Sequence, residues 1–254
     1  MIPITAYVTD KGEYRSKNQD SVMCEQGMLG ARSLLAACVC DGVGSLADSE
    51  IAAIMMCEGL HRWFHGILEC YPIDIKEEEI VEDLELTLRE LNEIIYEKAR
   101  IEGKQMGCTL SVFFSVDSNY YLFQAGDSRI YSFDTGLVQL TTDDTLARQV
   151  NDSWKIMLSN YVGKGRVLEI SVTKGCITKP RLFLIATDGG YRRLLEEDVL
   201  CMKRQRKQEL LQKECRELIQ RIRNRGERDN LSCVVLLYRE DRGMKKKRMG
   251  FRKE

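Results

Sequence analysis

The chain has 254 residues, a formal net charge of −1, 44% hydrophobic and 30% charged residues. That is the composition of a soluble globular protein with enough chain to bury a substantial core, in one large domain or two small ones. No apolar run approaches the ~20 residues that cross a bilayer, and the start MIPITAYVTDKG lacks the basic and apolar stretches of a secretion signal, so a cytoplasmic protein with no transmembrane segment is expected.

The charge is uneven. Arg239 to Glu254 holds eight Lys or Arg against three acids, a tail of +5 on a body of −6. An acidic body disfavours general nucleic-acid binding. The tail reads most simply as a solvated end, with contact to anionic lipid or an acidic partner as the second reading. Ten cysteines do not signal disulfides here. Cys38, Cys40, Cys108 and Cys233 sit in apolar strand-like runs, where a free thiol acts as a small hydrophobe, and no CxxC pair is present to suggest zinc or redox chemistry.

Taken in order, residues 4–10 (ITAYVTD) alternate as a strand, and the polar loop DKGEYRSKNQD carries Arg15, Gln19 and Asp20. SVMCEQ predicts a second strand, with a turn over Gly27–Ser33. The run LLAACVCDGVGS, Leu34–Ser45, then climbs through small apolar residues to Asp41, followed by Gly42 and Gly44. Glycines there let the backbone turn sharply and approach whatever the carboxylate holds. Ser45 is the expected cap of a helix over about 47–68. Ile80, Leu84, Leu88, Leu91 and Ile95 step round one face of a second helix over 78–101.

Short strands at 108–116, 120–124, 129–133 and 137–140, broken by turn residues, predict an antiparallel meander. Strands at 167–173 and 181–187 follow. A helix over about 203–224 carries the stripe Leu211, Cys215, Leu218, Ile222 and stops at Gly226, and 231–238 is the closing strand. The pattern is α+β, stacked sheets covered by helices, with no repeat and no interdomain linker.

Chemistry is expected where acids meet strand ends. LFLIATDGG repeats the Asp41 pattern and ends in Asp188, and Asp229 precedes the closing strand. An Asp at a strand end is usually a turn or cap residue, but four in similar settings (Asp20, Asp41, Asp188, Asp229) make a shared metal site the competing reading. Carboxylates without histidine or thiolate partners suit Mg²⁺ or Mn²⁺. Two such ions about 4 Å apart can share a carboxylate and lower the pKa of a water held between them. Arg15 is the natural phosphate ligand through a two-pronged hydrogen bond.

Seven segments, TDKGEYRSKNQD, VCDGVGS, MGCTLSV, QAGDSRIYSF, LTTDDT, LIATDGG and ERDNLSCVVL, occur in the order found in metal-dependent Ser/Thr phosphatases of the protein phosphatase 2C type. The chain resembles the compact bacterial members from about Thr9 to Leu237. That resemblance implies a four-layer α-β-β-α sandwich, two antiparallel sheets flanked by helix pairs. The single catalytic domain would span 1–238, with 239–254 as the basic tail.

It also implies two Mn²⁺ or Mg²⁺ ions per site, bridged by Asp41 and ligated by the Gly42 carbonyl, Asp188 and Asp229. Asp20 would serve the second ion, partly through water, and Gln19 would touch a metal-bound water. Asp143 would join Asp188 at a third, weaker metal site, and Arg15 would bind phosphate. The implied reaction is hydrolysis of phosphoserine or phosphothreonine by in-line attack of the bridging water, without a phosphoenzyme. Phosphorylated proteins are the implied partners, a Ser/Thr kinase and its targets among them.

Three features depart from that pattern. Asp144 stands where the family usually has His, LSNYVG (158–163) replaces a segment that usually includes arginine, and the chain between Thr145 and Leu158 is shorter than the family's mobile flap. A shortened flap predicts a more open, less selective cleft. The histidines His61 and His65 lie one helical turn apart with Glu58 before them, but HRWFH lacks the adjacent glutamate of HExxH, so they read as ordinary helix residues. Trp63, Phe64 and Trp154 read as packing residues, and Asp127 as a hairpin-turn residue away from the metals. Two other functions compete with the protein phosphatase: a catalytically weak phosphopeptide-binding regulatory module, and a phosphatase of a small phosphoester.

Overall fold

The computed structural model describes residues 3–150 and 153–239; residues 240–254, most of the basic tail, lie outside the described residues. Strands β1 (Ile4–Asp10), β2 (Asp20–Leu29) and β3 (Arg32–Asp41) lead into helices α1 (Ser49–Cys70) and α2 (Glu77–Ile101). Then come β4 (Leu110–Val116), β5 (Asn119–Ala125), β6 (Arg129–Phe133), β7 (Leu137–Gln139), β8 (Thr145–Val150), β9 (Ser153–Leu158), β10 (Ser171–Cys176) and β11 (Arg181–Ala186). Helices α3 (Asp188–Tyr191), α4 (Glu196–Lys203) and α5 (Gln208–Asn224) precede the last strand, β12 (Leu231–Tyr238).

The strands form two five-stranded sheets, β1-β12-β11-β6-β7 and β10-β5-β4-β3-β2, and a separate hairpin β8-β9. Every strand pairing is antiparallel. The sheets stack because their strands are apolar on both faces. On β3, Leu35, Ala37 and Val39 point between the sheets, while Leu34, Ala36, Cys38 and Cys40 point at α1 and α2. On β11, Phe183 and Ile185 face the other sheet, while Leu182, Leu184 and Ala186 face α4 and α5. Period-two alternation with both faces buried is what continuous apolar runs produce in the middle layers of a four-layer sandwich. Phe113, Tyr120, Phe183 and Tyr238 fill the inter-sheet layer, with Phe113 and Phe183 centroids 4.7 Å apart.

Several sequence expectations are corrected. The turn after β2 is tighter than Gly27–Ser33. Leu29 pairs with Arg32 around Gly30, and Gly27 lies inside the strand, where a Cβ would stand 2.4 Å from Leu68 of α1. Ser45 does not cap α1; the helix starts after Asp48, and Ser49 Oγ donates back to the carbonyls of Val43 and Leu46. The helix expected over 203–224 is α5, which begins later, at Gln208, and α4 before it was not expected. The meander is broken, because β5 pairs with β4 and β10 whereas β6 pairs with β11 and β7. The chain therefore crosses between sheets at Gly126–Ser128. The β8-β9 hairpin was not expected at all, and Trp154 on it is 72% exposed rather than packed. Phe64 is fully buried, and Trp63 packs edge-on against Phe114.

The ten thiols are all free, and Cys38, Cys40, Cys108 and Cys233 are buried as expected. No helix among the described residues is long and apolar enough to cross a membrane.

Candidate active site

The two sheets end together along one edge, and acids collect there. Asp20 opens β2 and Asp41 closes β3, and antiparallel register places their Cα atoms opposite each other. On the other sheet, β11 ends at Ala186 beside Cys233 of β12, so Asp188 and Asp229 lie at neighbouring strand ends. Thr187 bridges the two sheets: its N–H donates to Ser232 O at 3.1 Å and its Oγ1 to Asp20 Oδ2 at 2.9 Å. Asp41 is fixed by Thr109, whose Oγ1 accepts from the Asp41 N–H at 2.9 Å.

Between these ends lies a cavity of about 110 Å³ lined by Arg15, Asp41, Gly42, Asp127, Asp188 and Asp229, with Leu158 at its rim. Arg15 reaches it because its loop is drawn across the start of β12. Gly12 has φ +69°, and a Cβ there would stand 2.0 Å from Asp229 O. The Glu13 and Tyr14 N–H groups both donate to Arg228 O. Arg15 Nε then donates to Asp229 Oδ1 at 2.8 Å, and the guanidinium packs against Gly44, where a Cβ would come within 2.7 Å of it.

The acids are electrostatically unequal. Burial pushes the Asp20 carboxyl up to about 7, and Asp188 and Asp229 add to the shift. Asp20 Oδ1 is buried without a hydrogen-bond partner among the described residues. Asp41 is raised well above the usual range by burial and by the charges of Asp20, Asp188 and Asp127. Asp188 rises to about 6 by burial, despite the Arg192 ion pair. Burial would also raise Asp229, but the Arg15 hydrogen bond holds it below the usual carboxylate range. Like charges this close are tolerated only if protonated or answered by a cation.

Among the sequence-predicted residues, Arg15, Asp41, Gly42, Asp188 and Asp229 share the cavity, and Asp20 backs it. Gln19 contributes backbone, its carbonyl accepting from the Gly42 N–H and its own N–H donating to Asn230. Asp143 is not brought to the cavity. Its carboxylate is gripped by Arg129 at 2.7 to 3.1 Å, with Gln139 as a further donor. Asp127, read from sequence as a hairpin turn, faces the cavity instead, because its turn is the crossover between sheets. Arg192, one helical turn beyond Asp188, was also missed; it pairs with Asp188 and lies 3.8 Å from Asp229. Its i,i+4 spacing from Asp188 was the available signal.

Asp144 does not line the cavity. Its Oδ2 accepts from the Gly126 N–H at 3.0 Å and from Asn160 Nδ2 at 2.8 Å. It ties the turn that carries Asp127 to the loop after β9.

The family model for protein phosphatase 2C matches residues 14–235. Among solved structures, a bacterial serine phosphatase superposes with TM-score 0.78 at 16% identity, covering 94% of this chain and 98% of that one. The Ser/Thr phosphatase Stp1 from Staphylococcus aureus gives 0.78 at 15% identity, with 94% and 96% covered. The Ser/Thr phosphatase PstP/Ppp of Mycobacterium tuberculosis gives 0.73 at 22% identity, with 94% and 100% covered. No curated protein matches the chain.

Proposed function

The chain belongs to the protein phosphatase 2C family, and we propose that it hydrolyses phosphoserine and phosphothreonine on proteins at the acid-lined cavity. The observation that carries this reading is the convergence of Asp20, Asp41, Asp127, Asp188 and Asp229 from both sheets on one small cavity beside Arg15.

The residues fit divalent cations. Every side-chain donor is a carboxylate oxygen, the preference of Mg²⁺ and Mn²⁺ rather than of softer metals. The partnerless Asp20 Oδ1 and the raised Asp41 and Asp188 describe a cluster short of positive charge. In this reading Asp41 and the Gly42 carbonyl, with Asp188 and Asp229, hold two ions, and Asp20 serves the second partly through water. A third ion would fall to Asp188 and Asp127, since Asp143 is committed to Arg129. When bound, such ions supply a water nucleophile at neutral pH and offset charge on phosphoryl oxygens.

The chain's own groups do the rest. Arg15 is held at the cavity wall by Asp229, and its remaining N–H donors are placed to grip the phosphate and stabilise charge in an in-line displacement. Arg192 offsets part of the charge of Asp188 and Asp229. No thiol lines the cavity among the described residues, and burial pushes the Cys38 thiol far from the thiolate form, so hydrolysis proceeds without a cysteine phosphoenzyme. The β8-β9 hairpin stands in the flap's place, its Leu158 reaching the cavity rim. We read it as a shortened flap on a single catalytic domain, leaving an open and less selective cleft. Free thiols suit a reducing cytoplasm, and a cognate Ser/Thr kinase and its targets are the natural phosphoprotein partners. The tail beyond 239 would contact an acidic surface.

The deciding assay compares a phosphothreonine peptide with p-nitrophenyl phosphate, in Mn²⁺, in EDTA and with Asp41→Asn. A protein phosphatase loses both activities with EDTA and with the substitution. Peptide retention with neither activity would make the chain a binding module. Hydrolysis of the small ester alone would make it a phosphatase of small phosphoesters.

A further inference from the structure

The only two histidines of the chain, His61 and His65, project from one face of α1, as i and i+4 residues do. Their sequence lacks an adjacent glutamate, but the fold supplies one from another element. Glu25 of β2 sits against both rings. Its Oε1 lies 2.9 Å from His61 Nδ1 and its Oε2 lies 3.8 Å from His65 Nε2. The imidazole centroids are 4.5 Å apart, and one ligand atom from each of the three residues lies within 4.8 Å of the others.

We infer that Glu25, His61 and His65 form a transition-metal site of the kind that takes Zn²⁺. Zinc bonds of about 2.0–2.2 Å to imidazole nitrogen and carboxylate oxygen place neighbouring donors roughly 3.3–3.6 Å apart in a tetrahedron. The two observed carboxylate–imidazole spacings bracket that range, so rotations about side-chain bonds bring the three donors onto one ion. The carboxylate can hydrogen-bond only one of the rings at a time in this arrangement: His65 Nε2 stays beyond hydrogen-bond distance. A cation between the three groups would engage both rings together.

The site is open to solvent, with side-chain exposures of 52% for His61, 45% for His65 and 31% for Glu25. It stands at the end of a groove of about 310 Å³ between β2 and α1, so ions reach it freely and water can complete the coordination. It is also held in register, because the missing Cβ of Gly27 lets Leu68 pack directly onto β2 just beyond His65. Two imidazoles and one carboxylate prefer Zn²⁺, Ni²⁺ or Cu²⁺ over Mg²⁺. The preference is opposite to that of the all-carboxylate cavity. Bound metal would clip β2, which begins at Asp20, to α1, which follows the Asp41 loop.

The test uses the tag-free full-length chain in excess Mg²⁺, which occupies the acidic cavity without competing for imidazole. Because these are the only histidines, NMR of ring-¹⁵N histidine reads the site with no background. Zn²⁺ should shift both imidazoles together, saturating at one equivalent, and should raise Tm by about 5 °C at a hundredfold excess over Kd. Glu25→Gln should weaken binding tenfold or more while leaving Mg²⁺-dependent p-nitrophenyl phosphate hydrolysis unchanged. A titration in which neither ring, or only one, responds to millimolar Zn²⁺ overturns the site, as does unaltered affinity in Glu25→Gln. The wild-type titration decides the question even if a variant folds poorly, and it is independent of the phosphatase reading.

Discussion

Two buried aspartate settings in this chain have opposite electrostatics. Asp198, in the first turn of α4, is 3% exposed. Its carboxylate accepts from Arg221 Nε at 2.9 Å, Arg225 Nη1 at 2.5 Å and the Leu195 N–H at 3.0 Å. Burial alone would raise it, but the Arg225 and Leu195 hydrogen bonds with the Arg221 pair hold it below the usual carboxylate range. Asp20, 8% exposed, has one oxygen bonded to Thr187 and one bonded to nothing described, and burial among other acids pushes it up to about 7. Burial is similar; the answer to the charge is not. A buried acid met by two guanidiniums is a rivet, whereas acids that face one another are a receptor for cations.

Substitution separates the two most sharply. Asp41→Asn should lower kcat/KM more than about a hundredfold, since even groups behind a metal ligand typically account for 10–100-fold. In EDTA the same variant should melt at the wild-type temperature or higher, because it removes a source of repulsion. Asp198→Asn should do the reverse. It removes the charge that answers two arginines and costs about 3 kcal/mol, the low end for breaking a buried pair because both guanidiniums keep some solvent and Arg221 keeps Glu214 while Arg225 keeps the Arg193 carbonyl. Activity per folded molecule should be unchanged. If Asp41→Asn destabilised the metal-free protein as Asp198→Asn does, the contrast would collapse.

The pH dependence sharpens the same contrast. Asp20 at about 7 and Asp188 at about 6 bind protons more tightly folded than unfolded. Their contribution is therefore fully favourable below the unfolded carboxylate range and is lost as pH rises through the folded values. The metal-free protein should gain Tm as pH falls from about 8 to about 5. Asp198 and Asp229, both shifted down, act only in more acidic solution and leave this window untouched. Saturating Mg²⁺ should flatten or invert the slope, because protons then compete with the cation. Equal slopes with and without Mg²⁺ would count against cation binding by the cluster.

The receptor was easier to read in the sequence than its surroundings. Asp41 and Asp188 each end an apolar run before glycine, a pattern carried by consecutive residues; Asp41 closes β3 and Asp188 opens the short helix α3 just past β11. Asp127 was misread for a topological reason. The segment 120–133 has the composition of a hairpin, and nothing local shows that β5 and β6 belong to different sheets. That crossing is fixed by the register of β5 with β10 and of β6 with β11, strands far along the chain. The acidic pair Asp143-Asp144 hid its assignments likewise, because Arg129 takes the first and Gly126 and Asn160 take the second. The β8-β9 hairpin left little trace because both its faces are largely exposed, so no period-two burial pattern marks it.

Asp144 provides the smallest test, since it belongs to neither class: a carboxylate answered by an amide and a backbone N–H rather than by charge. Asp144→Ala strands the Gly126 N–H and leaves Asn160 with only the Glu169 carbonyl, and should cost about 1–2 kcal/mol, measured by chemical denaturation. Asp144→Asn keeps one acceptor and should recover part of that. If Asp144 acts by fixing the crossover that carries Asp127, Asp144→Ala should also lower activity severalfold in wild type. On an Asp127→Ala background it should add almost nothing, because the side chain it positions is gone. Equal activity losses on both backgrounds would place Asp144 in the chemistry by a route of its own and make its carboxylate part of the receptor after all.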